Sequence, residues 1–186
     1  MIDSTAKQAL LLKVSFDAQQ VSSRLDWSVT PRSESPNNRN AGQLLFFKGQ
    51  RFMFEISGYG SAASGFSGFK VVDCCIITRP QLVRIGDQRQ PLFAPPSMFK
   101  EVESATHHLH GKFIDRPQTG PGADPLEYVK IWDDYLVVGQ NDGRWELSFM
   151  LTVHLHGLPE EQSRRVFYFD PESQVGDGTM PPRDEC

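Results

Sequence analysis

The side chains with the most chemical potential are the five histidines, which fall in two clusters: His107, His108 and His110, then His154 and His156. Imidazole is both a common metal ligand and the side chain whose charge changes nearest neutral pH. From Trp145 to Leu155, apolar Trp145, Leu147, Phe149, Leu151, Val153 and Leu155 alternate with Glu146, Ser148, Met150, Thr152 and His154. Side chains alternate faces along a strand. His154 and His156 therefore share the polar face two residues apart, within reach of a single ion.

The segment His154-Leu155-His156-Gly157-Leu158-Pro159-Glu160 resembles the first motif of the cupin family, two histidines with a glutamate four residues on. The resemblance covers these seven residues. Ser148 stands where the motif carries a glycine, and no second motif with a further histidine follows. The resemblance implies a divalent transition metal (zinc, iron, manganese or nickel) on His154, His156 and Glu160. The remaining ligand would come from upstream, from His107, His108 or His110. The competing reading is that His154 and His156 sit on a solvated strand face.

Other residue types offer less. Cys74 and Cys75 lie in the most apolar stretch of the chain, and Asp73 beside them opposes the lowered pKa that a nucleophilic thiol needs, so they are expected to pack in the core. Cys186 is expected to be exposed. There is no Gly-x-Ser-x-Gly elbow and no phosphate-binding loop. Asp133-Asp134, Asn141-Asp142 and the acidic residues Asp170, Glu172 and Asp177 lack the ligand alternation of a calcium loop. The stretch Ser57 to Phe69 is mostly small residues, yet it carries Tyr59 and Phe66. Loops of this length without secondary structure are uncommon and often functional. Two rings on a permissive backbone can close over a sugar, a peptide or a planar ligand. Tyr59 and Phe66 are therefore the expected ligand-binding residues. The alternative is that both rings fold back as a lid.

The elements that must position these groups are nearly all strands. Leu10 to Phe16, Leu25 to Val29, Phe52 to Ile56 and Trp145 to Leu155 alternate apolar with polar, while Phe69 to Thr78 is apolar on both faces. Asp142-Gly143 predicts a tight hairpin, with Val138 facing Leu147 and Leu136 facing Phe149. Lys48-Gly49-Gln50 predicts another, joining Leu44–Phe47 to Phe52–Ile56. Arg79-Pro80 is expected to end the central strand. Phe99, Val102, Leu109 and Phe113 have helical spacing, the one helix expected. Together these predict an all-β single domain over residues 1–186, an antiparallel β-sandwich of immunoglobulin-like or jelly-roll type with an irregular tail over 170–186. A closed β-barrel is the alternative.

Composition narrows the function classes. The net charge is −4 and no dense Lys/Arg cluster appears, which argues against a nucleic-acid partner. No apolar run approaches the ~20 residues of a membrane helix, and the N-terminus lacks the pattern of a secretory signal. Three cysteines without a paired framework fit a reduced, cytoplasmic protein. With no coherent catalytic set, the chain reads as a binding or assembly module rather than an enzyme. Its expected partner is a small molecule, glycan or peptide at the loops of one end. One alternative is a metal-dependent, cupin-like enzyme or sensor. Another is a structural protein that assembles through strand edges, with Leu10–Phe16 and Arg165–Phe169 as the expected edges of a homodimer.

Overall fold

In the computed structural model, residues 9–31, 44–85, 88–89, 95–116, 125–170 and 172–175 are described, and they form two stacked sheets that do not close into a barrel. The strands are β1 (Leu10–Asp17), β2 (Asp26–Thr30), β3 (Leu44–Phe46), β4 (Arg51–Gly60), β5 (Phe69–Ile85), β6 (Gln88–Arg89), β7 (Thr106–His108), β8 (Phe113–Asp115), β9 (Leu126–Trp132), β10 (Leu136–Val137), β11 (Gly143–Leu155), β12 (Arg164–Phe169) and β13 (Glu172–Val175). The first sheet runs β2-β1-β4-β9-β8, with β10 also on β4. The second is built on β11, which pairs with β5 on one side and with β12 and β13 on the other; β7 and β6 extend β5, and β3 extends β13. Most pairings are antiparallel, but β1–β4 and β3–β13 are parallel. Among the described residues no helix is long and apolar enough to cross a membrane.

The alternation in the sequence is the cause of the sandwich. Every odd residue from Trp145 to Leu155 is buried, at 1% exposure or less, and the β1 positions Leu10, Leu12, Val14 and Phe16 meet them from the other sheet. Aromatic rings bridge the layers. Phe54 stacks on Phe149 at 5.3 Å between centroids, and Phe16 on Phe167 at 4.6 Å.

Several expectations are corrected. Neither predicted hairpin forms. β10 joins the first sheet, with Leu136 opposite Phe52, while β11 belongs to the second. Gly143 lies within β11 opposite Val83 and Val175, and Asp142 pairs with Lys48 at 2.8 Å. Likewise β3 and β4 lie in different sheets, and Gly49, with φ of 74°, turns the chain from one layer to the other. Both inner faces are apolar, so the pattern of Leu136 or Leu44 is satisfied from either sheet, and periodicity cannot tell hairpin from arch.

The predicted helix is absent. Its residues form turns, β7 and β8, because the edge of β5 takes Thr106–His108 as a strand. The one α-helix among the described residues is α1 (Glu160–Ser163). Pro80 does not end the central strand. β5 continues through it at a register shift, with Pro80 opposite Trp145, Leu82 opposite Arg144 and Gln81 left over between them. Glu172–Val175 is a strand inside the segment expected to be an irregular tail, and Cys186 lies outside the described residues. Of the two expected edges, Leu10–Phe16 is interior to its sheet, whereas among the described residues Arg165–Phe169 pairs with β11 alone and is met on its other side only at Tyr168. β1 sits between β2 and β4, and the main chain of Ser23 and Leu25 bonds Tyr168 of β12.

Candidate functional site

The glycine-rich stretch is shorter than expected, because β4 runs on to Gly60. Its glycines make room for rings. A Cβ on Gly58 would stand 2.8 Å from Phe69 and 2.9 Å from Phe16, and one on Gly60 would stand 2.4 Å from the Phe66 ring. Phe66 is therefore not displayed. It is 1% exposed and meets Tyr128 edge-on at 5.4 Å. Tyr59 lies within β4, half-buried, and its hydroxyl donates to Glu127 Oε1 at 2.8 Å. Burial first, then Glu127, pushes the Tyr59 phenol upward. For Phe66 the geometry is that of the lid.

What the loop does is shape a cleft. Ser61 Oγ caps a 3-10 turn over Ala62–Ser64 by accepting from Ala63 N–H. Ser67 N–H then donates to His156 O, and His156 N–H to Gly68 O, which ties the loop to the end of β11. On the facing sheet, β8 pairs with β9, and Arg116 N–H donates to Val129 O. Between these elements lies a cleft of about 320 Å³, lined by Ser67, Gly68, Phe69, Asp115, Arg116, Tyr128, Val129, Lys130 and His156. It lies toward the end of the sandwich where β4 and β11 finish and β5 and β9 begin.

Its charges are held in place. Lys130 Nζ bonds Asp115 and lies 5.4 Å from the centre of the Phe69 ring. Arg116 reaches the buried Glu55 carboxylate at 3.2 Å, whose other oxygen takes Lys13 at 2.9 Å. Gly68, with φ of 127°, contributes no side chain; a Cβ there would come within 3.4 Å of Tyr128 and 3.8 Å of His156 Nδ1. Lys130 and Arg116, each already beside a carboxylate (Asp115 and Glu55), line the cleft together with the His156 and Tyr128 rings.

The predicted metal residues do not assemble as the cupin-like motif implies. His154 and His156 have ring centres 5.7 Å apart, but His154 lies opposite Lys70 and Arg164, two cations that disfavour an added metal. Glu160 is exposed in α1. Among the described residues, the one group of three possible ligands within 4.8 Å of one another is Asp73, Cys75 and His108. His154, His156, Glu160 and His110 are outside it. His108 Nδ1 is 3.0 Å from Asp73 Oδ1. Cys74 packs in the core as expected, but Cys75 is on the outer face of the second sheet, opposite His108 and Met150. Burial, then Asp73, pushes the Cys75 thiol up, so it is not poised as a nucleophile.

Sequence reasoning missed Asp115, Arg116, Tyr128 and Lys130, which have no motif and meet the loop only through strand pairing. Gly68 and His156 were visible, the one as a glycine in an unusual stretch and the other as a histidine, though not in this role. Known protein families give no match to the chain, and neither do curated proteins.

Proposed function

We propose that the protein is a small-molecule binding module whose ligand carries a carboxylate or similar anionic group beside a flat face. The observation that carries this reading is the cleft, whose lining brings two basic side chains, Lys130 and Arg116, together with the Tyr128 and His156 rings. Its volume of about 320 Å³ lies at the lower end of ligand pockets, which favours a small organic acid over a folded partner. The ligand anion would accept from Lys130 and Arg116, sharing them with Asp115 and Glu55, while its flat face lies on Tyr128. No group in the cleft is arranged as a nucleophile with its base, so binding without turnover is the simpler reading.

The test is calorimetric titration with a panel of small carboxylates, neutral sugars and short peptides. Binding should be confined to the anions. Lys130→Met should weaken it roughly 10- to 100-fold, the worth of a hydrogen bond to a charged group. Melting should stay close to that of the parent, because the Lys130–Asp115 pair has one well-exposed partner. Preference for neutral ligands, or indifference to Lys130→Met, would reject the reading.

A further inference from the structure

We propose that Asp73, Cys75 and His108 form a site for a zinc-class divalent transition metal on the outer face of the second sheet. This site is separate from the cleft and does not depend on the reading of it.

The placement follows from strand register. Cys75 of β5 lies directly opposite His108 of the antiparallel β7, and such partners bring their side chains together on one face. Asp73 precedes Cys75 by two residues and so shares that face. The backbone on both sides is fixed, since Leu109 N–H donates to Cys74 O at 2.8 Å and Thr78 N–H to Ala105 O at 2.7 Å. Leu109, buried between His108 and His110, anchors β7 to the core.

The donor set selects the metal. Calcium and magnesium take oxygen ligands, whereas one carboxylate, one thiolate and one imidazole together suit zinc and its neighbours. Around a tetrahedral zinc, ligand atoms stand about 3.3–3.8 Å apart. The three donor atoms already lie within 4.8 Å of one another, with Asp73 and His108 at 3.0 Å. Closure therefore needs about an ångström of side-chain adjustment at the widest pair.

The arrangement is also accessible. Cys75 forms the floor at 6% exposure, while the side chains of Asp73 and His108 are half-exposed walls. The fourth position faces solvent or His110, whose ring centre is 6.4 Å from that of His108. On binding, the Cys75 thiol gives its proton to solvent, the metal–sulfur bond forms, and no electron is transferred. A plain ion pair between Asp73 and His108 would leave Cys75 unexplained, because Cys74 already fills the core position and Cys75 faces outward.

The test titrates the full-length, chelator-treated protein with cobalt(II) and then with zinc. One equivalent of cobalt should give visible bands of tetrahedral intensity and a near-ultraviolet thiolate-to-cobalt band, and zinc should bleach both. Cys75→Ser should remove the thiolate band. His108→Ala and Asp73→Ala should each weaken binding by roughly tenfold or more. His154→Ala, His156→Ala and Cys186→Ser should leave the spectrum unchanged. A missing thiolate band, its survival in Cys75→Ser, or its loss in His154→Ala or His156→Ala would overturn the proposal. X-ray absorption of the zinc-loaded parent guards against misfolded variants. One sulfur in a nitrogen and oxygen shell is expected, and a shell without sulfur overturns the site.

Discussion

The contact between Gly60 and Phe66 can be tested as a pair. Phe66 is 1% exposed, and its ring lies where a Cβ on residue 60 would be, 2.4 Å from Cδ1 and 2.7 Å from Cγ. Phe66→Ala removes a buried ring and should cost about 3–5 kcal/mol. Gly60 has no positive φ, so alanine is acceptable to the backbone and its cost is steric. The ring is held edge-on against Tyr128 and cannot simply retreat, so Gly60→Ala should cost about 1–3 kcal/mol. In the double variant the two closest ring atoms are gone, and only the Cβ of residue 66, at 3.0 Å, still crowds the new methyl. The two costs should then fail to add by about 1–3 kcal/mol. Urea unfolding measures all three variants. At about 2–4 °C per kcal/mol for a chain this size, Phe66→Ala should lower Tm by on the order of 10 °C. Additive costs, or a Phe66→Ala variant as stable as the parent, would refute the packed ring and return Phe66 to the displayed loop that its sequence context suggests.

Three further outcomes follow from the packing. Phe149→Ala should cost about 3–5 kcal/mol, since Phe149 stacks between Phe54 and Phe169, whereas Thr152→Ala on the outer face should cost under about 1 kcal/mol; equal losses in denaturant would mean that the phase of β11 is wrong. Glu55→Ala should cost about 1–3 kcal/mol, toward the low end because Lys13 and Arg116 remain partly exposed, and added salt should narrow the gap to the parent. Burial, then Cys75 and Asp73, holds the Cys74 thiol well above its ordinary range, so the folded state keeps this proton after the unfolded chain has lost it. Its contribution to stability is complete below about pH 8.5 and is lost as pH rises toward the folded value; unfolding free energy should fall above that pH, and less steeply in Cys74→Ala. Parallel slopes would contradict this.

Burial on a two-residue period is a local property, and so the phase of Trp145–Leu155 and of Leu10–Phe16 was legible, with the sandwich that follows from them. Sheet membership is not local. Leu136 and Leu147 both point inward, and nothing in their order says that they do so from opposite layers. The spacing of Phe99, Val102, Leu109 and Phe113 imitated a helix because buried residues on irregular chain have no obligatory period, and the unpaired edge of β5 outweighed local preference. The same limit hid the sites. Lys130 and Arg116 come to Gly68 and His156 through the pairing of β8 with β9, and Cys75 meets His108 only because β7 lies along β5. By composition alone, the glycines of Ser57 to Gly68 signify freedom. In Gly58 and Gly60 they are room for neighbouring rings, a distinction that needs the rings' positions.

The cleft as a binding site is tested most directly by amide chemical-shift mapping of the full-length protein while the small carboxylate that binds best is added. Saturable shifts should gather at Gly68, Phe69, Arg116, Tyr128, Lys130 and His156, and should vanish in Lys130→Met. Shifts gathered elsewhere on the sandwich, or none across the whole panel, would contradict the account.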